Sequence, residues 1–295
     1  MADRSDISFA AGEGRCDGWL YRPGPAGESA PCVVMAHGFG ACKEARLDAF
    51  AERFAAAGLA ALVFDYRHFG TSTGRPRQLI DIRSQHADWE AAIGHARSLE
   101  GVDPARVALW GTSFSGGHVL WAAARDARIA AVVSQVPHTS GPATLRMLEP
   151  VRLARLTAAG LRDRAAALFG RSRRIAIVGP PGSGAAMTGD DAATLYPGMY
   201  PRGFRFDNST PARILLPFGL YSPGREARHV RCPVLVIVAD RDTITPPEPA
   251  RAAARAAPRG ELLSFDGAHF DIYRGERFEW AVEREREFLT RTLLG

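Results

Sequence analysis

Five stretches of this chain, PCVVMA, LAALVF, RVALW, IAAVVSQV and CPVLVIVA, are apolar at almost every position rather than at alternate ones. A strand with one wet face alternates. A strand apolar throughout is covered on both faces, which is the condition of a parallel sheet with helices laid over each side. Helical patterns fall between these runs: LDAFAERFAAAG, closing at Gly58, then SQHADWEAAIGHARSLE, GGHVLWAAARDA, EPARAAARAA and a C-terminal helix. ISFA and DGWLYRP read as opening strands and ELLSFDG as the last one. The rhythm predicts an α/β fold with a mostly parallel, doubly wound sheet.

Between Ser140 and His229 the rhythm breaks. TLRMLEPVRLARLTAAG and LRDRAAALFG read as two helices and are followed by Pro-, Gly- and Tyr-rich text. An insertion at this point is looped out without disturbing the sheet. The expected organisation is a core of residues 1–139 and 230–295 with a largely helical cap over residues 140–229. The cap contains IAIVGPPGSGAAMT, which opens like a phosphate-binding loop. Such a loop needs Lys and then Ser or Thr after its second Gly, to neutralise phosphate and hold Mg²⁺, and this chain has Ala185 and Ala186 there. It also lacks the strand–turn–helix setting, so a cap turn near a pocket mouth is expected in place of a nucleotide site.

Charge and cysteine content narrow the classes further. The formal net charge is +5, with Arg spread among Glu and Asp along helices and Lys43 the only lysine. That is a solvated surface, not the basic stripe of a nucleic-acid binder. Cys16, Cys32, Cys42 and Cys232 show neither C-x-x-C nor metal-type spacing, and the histidines form no H-x-x-x-H or facial triad. No metal or cofactor is therefore expected. MADRSDISFAAGEG has no apolar signal core, and no run is long enough to cross a bilayer. The expectation is a cytoplasmic protein with no membrane or nucleic-acid partner, for which a homodimer remains open.

The chemistry gathers in RVALWGTSFSGGHVL. A buried strand ends at Trp110-Gly111 and a tight turn of small residues leads into a helix. A nucleophile elbow needs this context, because the backbone at its serine is strained and crowded. Gly111 and Ser115 flank Ser113, with Ser115 where Gly is usual. A competing frame makes Ser115 the nucleophile, but Ser113 lies two residues past the strand end, where an elbow belongs. A serine hydroxyl needs a base to take its proton and an acid to orient the base. Beyond the strand VLVIVAD stand Asp240 and Asp242, and beyond LLSFDG stands His269. Each lies at the carboxyl end of a strand, on the rim that carries Ser113.

With these motifs, G-T-S-F-S-G-G and G-A-H-F-D-I-Y above all, the chain resembles the α/β-hydrolase superfamily over nearly its whole length. It looks most like bacterial serine hydrolases of the dienelactone-hydrolase and X-Pro-dipeptidyl-peptidase-like group. The resemblance implies Ser113, Asp242 and His269 as catalytic triad, since relatives use the second acidic residue of this segment. It also implies an oxyanion hole of the Phe39 N–H in HGFG and the Phe114 N–H after the nucleophile. His37 is expected to order its loop and His68 to be structural. No Asp nucleophile stands in the elbow, which disfavours dehalogenase and epoxide-hydrolase chemistry.

The expected activity is cleavage of an ester, thioester or lactone of a small to medium apolar acyl substrate through an acyl-enzyme. The alternatives are an acyltransferase, cyclase or eliminating enzyme with the same triad, and a non-catalytic ligand-binding protein. His138, Tyr200, Phe204 and Phe218 are the candidate substrate contacts.

Overall fold

The computed structural model describes residues 3–24, 29–189 and 192–295. Eight strands form one sheet: β1 (Asp3–Ala11), β2 (Gly14–Arg22), β3 (Ala30–Ala36), β4 (Ala60–Phe64), β5 (Val102–Thr112), β6 (Ile129–Gln135), β7 (Val234–Ala239) and β8 (Gly260–Phe265). Their spatial order is β1-β2-β4-β3-β5-β6-β7-β8. The first two strands are antiparallel to their neighbours and β4 onward run parallel. The uninterrupted apolar runs occupy the middle of this sheet, where β3, β4 and β7 are buried along almost their whole length.

Helices cover both faces. α1 (Leu47–Ala56) packs with the C-terminal α9 (Gly275–Leu293) on one side. α2 (Ile82–Ser98), α3 (Phe114–Ala123) and α8 (Pro247–Ala256) take the other. The parallel register brings the carboxyl ends of β3, β5, β7 and β8 to one edge of the sheet, so the loops that follow them share a rim.

Between β6 and β7 lie α4 (Gly141–Arg146), α5 (Pro150–Ala167), α6 (Ala192–Leu195), α7 (Leu215–Phe218) and short two-residue strand pairs. The helix boundary differs from the expected one at Gly160. α4 ends at Arg146, Pro150 begins α5, and α5 runs through Gly160 without a break. Proline is pre-set for the first turn of a helix, which places the boundary there. Gly160 instead lets Leu216 pack against the helix, since a Cβ there would sit 3.0 Å from its side chain.

Candidate active site

Ser113 is the turn between β5 and α3, held at φ 57° and ψ −118°. A non-glycine residue stays in that region only when its surroundings force it. Two of the forces are visible. The Ser113 N–H donates to the Gln135 carbonyl at 2.9 Å, and its carbonyl accepts from the His138 N–H at 2.8 Å. The crowding explains the glycines: a Cβ on Gly111 would meet the Ser115 carbonyl oxygen at 2.3 Å, and one on Gly38 would meet the Ser113 Cβ at 2.9 Å.

His269 follows β8 and presents Nε2 to the Ser113 Oγ at 3.0 Å. Its Nδ1 lies 2.6 Å from Asp242 Oδ2, and both side chains are buried. Asp242 is itself fixed from three directions. Its Oδ1 accepts the N–H groups of Ile244 and Thr245 at 2.8 and 2.7 Å, and its Oδ2 accepts the Thr245 hydroxyl at 2.8 Å. Asp240 points elsewhere and pairs with Arg251. Ser115, the rival frame, is hydrogen-bonded to the Tyr66 hydroxyl at 2.8 Å beneath the site. The structure thus brings Ser113, His269 and Asp242 into one line and leaves Ser115 and Asp240 out of it.

The N–H groups of Phe39 and Phe114 have no hydrogen-bond partner among the described residues. They belong to the two segments pressed together at Gly38 and Ser113, and their rings meet edge to face at 5.6 Å. The Phe39 carbonyl, in the next peptide along, accepts the buried Tyr196 hydroxyl at 2.7 Å. His37 is buried, and burial pushes its imidazole down to about 4, so it stays neutral. Its Nδ1 lies 3.0 Å from the Gly38 carbonyl and its ring packs on Tyr66, the loop-ordering position expected of it.

A cavity of about 240 Å³ opens above Ser113. Its walls are mainly Phe114, Leu145, Leu148, Leu156, Leu216 and Phe218. His138 and Phe218 line it and pack on each other at a tilt, with ring centroids 4.4 Å apart. Burial lowers His138 to about 4, so this ring too is neutral. Tyr200 and Phe204 do not reach this cavity. They stack together at 4.9 Å, and Tyr200 stacks again on Phe206, in a separate aromatic cluster over Tyr196. Of the four candidate substrate contacts, His138 and Phe218 therefore line this cavity and Tyr200 and Phe204 do not. The loop that resembles a phosphate site contributes a wall instead: Ala186, Met187 and Thr188 face the cavity, and Arg152 holds the Ala185 and Ala186 carbonyls at 3.2 Å.

Sequence reasoning passed over Thr245, the bond from Tyr196 to Phe39 and the leucines of α4 and α5. Thr245 was findable, since a hydroxyl three residues after an Asp at a strand end commonly closes a turn on it. The leucines also carried a signal in their helical spacing. Tyr196 carried none.

Cys42, Glu44 and Asp65 bring ligand-type atoms within 4.8 Å of one another. Lys43 Nζ already fills the cationic position, 2.7 Å from Asp65 and 3.2 Å from Glu44. Among the described residues, no helix is long and apolar enough to cross a membrane.

A model of the alpha/beta hydrolase family matches residues 33–279. The chain belongs to the alpha/beta hydrolase family. It is 42% identical over 287 residues to the quorum-quenching protein AidA of Acinetobacter baumannii (strain MDR-ZJ06), covering 97% of this chain and 94% of that one. A polyketide transferase of Stachybotrys chlorohalonatus (strain IBT 40285), ATR5, is 30% identical over 305 residues and 98% of each chain. Among solved structures, DcsB in complex with its substrate analogue superposes with a TM-score of 0.85 at 26% identity, over 98% of this chain and 100% of that one. The superfamily expectation and the parallel α/β fold are thereby met, and the chain is an enzyme of this family. The narrower likeness to the dienelactone-hydrolase group is not shown by these matches.

Proposed function

We propose that this alpha/beta hydrolase cleaves an ester, thioester or lactone of a medium-length apolar acyl group through a covalent acyl-Ser113 intermediate. The observation that carries the reading is the buried line Ser113 Oγ, His269 Nε2, His269 Nδ1, Asp242 Oδ2, with separations of 3.0 and 2.6 Å, on the floor of an apolar cavity. His269 takes the hydroxyl proton as Ser113 attacks the acyl carbon. Asp242 holds the imidazole in the tautomer that leaves Nε2 free to accept, and stabilises the imidazolium that forms. The N–H groups of Phe39 and Phe114 receive the oxyanion, where fixed donors stabilise charge without reorganising. His269 then returns the proton to the departing alcohol, thiol or lactone oxygen. Water attacks the acyl carbon, giving its proton to His269, and the acid leaves as Ser113 regains its hydroxyl.

A second reading sends the acyl group to an alcohol or amine in place of water, and the likeness to a polyketide transferase supports it. Both readings share the first half-reaction. The test is intact-protein mass spectrometry after brief exposure to p-nitrophenyl esters and to a fluorophosphonate. Both adducts should localise to Ser113 and vanish in Ser113→Ala. A fluorophosphonate adduct retained by Ser113→Ala and lost in Ser115→Ala would overturn the assignment. Product analysis with and without an added alcohol then divides hydrolysis from transfer.

A further inference from the structure

α5 departs from the pattern of an ordinary surface helix. Its buried residues, Leu156, Gly160 and Asp163, lie on one side and pack on the segment Ala212–Phe218. A helix held this way is expected to turn a polar face to water. Here the opposite face is apolar as well. Val151, Ala154, Ala158, Leu161, Ala165 and Leu168 recur at three- and four-residue spacing, on one side of a 3.6-residue turn. The larger ones stand in solvent: Val151 is 61% exposed, Leu161 57% and Leu168, at the C-cap, 80%, and Phe169 in the turn that follows is 79% exposed. Splitting the segment at Gly160 hides this stripe; the continuous helix aligns it.

Arginines flank the stripe on both edges. At 100° per residue, Arg155 and Arg162 fall on one side and Arg164 on the other, with Arg171 just past the turn that ends the helix. None of the four forms an ion pair among the described residues. The one acid within the helix, Asp163, is buried and bonded to Arg213. An apolar stripe bordered by cations and free of exposed acids has the form of a helix lying in a bilayer interface. We propose that the outer face of α5 docks on an anionic lipid surface, with Leu161, Leu168 and Phe169 entering the acyl boundary and the flanking arginines meeting lipid phosphates.

Charge decides between lipid and a second copy of this chain. A two-fold contact pairs a patch with itself, so it would set arginine rows against arginine rows with no carboxylate to answer them. An anionic lipid surface answers every arginine at once. The stripe also offers only alkyl and phenyl groups, with none of the hydroxyls or amides that a specific protein partner would engage. Its inner flank borders the cavity through Leu153, Leu156 and Thr157, so a docked helix would separate the lipid from the acyl site by its own width.

The experiment is co-sedimentation of the full chain with vesicles of equal parts phosphatidylglycerol and phosphatidylcholine, beside pure phosphatidylcholine vesicles, at low and high salt. The parent should pellet with the anionic vesicles, much less with the neutral ones, and release in high salt. Leu168→Glu/Phe169→Glu should abolish pelleting. Arg155→Glu and Arg162→Glu should each lower partitioning by roughly fivefold or more, since a juxtamembrane cation is worth about a factor of that size. Hydrolysis of p-nitrophenyl acetate should be unchanged in all three, which establishes that they fold. Failure of the parent to prefer anionic vesicles would overturn the proposal. So would a parental dimer dissociated by Leu168→Glu/Phe169→Glu, which would assign the stripe to a second copy, or retention on immobilised polyglutamate without vesicle binding, which would assign it to an acidic protein.

Discussion

Tyr196 donates its hydroxyl to the carbonyl of Phe39 at 2.7 Å, across 157 positions of sequence. The bond ties the segment inserted between β6 and β7 to the loop whose N–H is the candidate oxyanion donor. The bond orients the planar Phe39–Gly40 peptide directly, and through the shared Cα of Phe39 it restrains the neighbouring Gly38–Phe39 peptide that carries the N–H.

The first prediction follows from that bond. Tyr196→Phe keeps the ring, which packs on Phe206 and Phe270, and removes only the hydroxyl. The Phe39 loop then loses an anchor worth about 1 kcal/mol. We expect kcat to fall roughly five- to tenfold for short and long acyl esters alike, with little change in KM. A change in KM alone, with kcat intact, would show that Tyr196 serves substrate binding and not the loop.

Asp242 and Asp240 make a paired prediction. Asp242→Asn should reduce kcat by about 10⁴-fold, as loss of the orienting acid does in Ser-His-Asp enzymes. Asp240→Asn removes a partner of the half-exposed Arg251 pair, worth roughly 0–1 kcal/mol of stability, and should leave kcat near that of the parent. Steady-state kinetics with a p-nitrophenyl ester and a thermal melt on each variant read both quantities.

Cavity residues separate selectivity from chemistry. Phe218→Ala opens the wall beside His138 and Phe114 and should shift relative kcat/KM among acyl lengths by roughly 10- to 100-fold, at about 1–3 kcal/mol for a lost hydrophobic contact. Phe204→Ala, in the other aromatic cluster, should leave the chain-length profile unmoved. A profile altered by Phe204 and not by Phe218 would place the acyl chain elsewhere.

Stability should fall on both sides of a mildly acidic optimum. Glu285 is buried beneath β5, where it accepts the Trp110 indole N–H at 2.9 Å, and burial pushes its carboxyl up to about 8. Between about 4.5 and 8 the unfolded chain releases this proton and the native state keeps it, so stability declines as pH rises through that window and levels off above it. Neutral, buried His37 and His138 act on the acid side. The unfolded chain protonates them below about 6.5 and the native state resists until about 4, so stability drops as pH falls through that window. Glu285→Gln should therefore raise the Tm at pH 8–9 while leaving pH 5 nearly unchanged. Melting curves across pH for both proteins check it, and a parallel loss at every pH would mean that the carboxyl is charged in the native state.

The sheet was readable because full burial leaves a compositional mark. β3, β4, β6 and β7 are runs in which almost no position faces water, and such runs admit few other readings. The elbow was readable because strain restricts its neighbours to small residues, as the 2.3 Å clearance at Gly111 makes plain. Asp242 and His269 were findable as strand-end residues, although choosing Asp242 over Asp240 needed the family pattern. The inserted segment was read less well, since its partners are remote in sequence. Tyr200 and Phe204 had the composition of a pocket and turned out to stack on each other. Gly160 had the look of a helix end, yet it accommodates Leu216. Tyr196 meets Phe39 only because the segment folds back over the sheet, and no local pattern encodes that meeting.

The placement of β7 has a bearing on how the protein is made. β7 lies directly against β6 and carries Asp242 just beyond its end, while β8 leads to His269. Synthesis delivers Ser113 early and both residues that would activate it late. A nascent chain that stops short of Val234 holds Ser113 without its proposed partners and a sheet whose β6 edge, buried in the finished fold, bares unpaired amide and carbonyl groups to other chains. Translation of the final segment seals that edge and brings the proposed acid and base to Ser113.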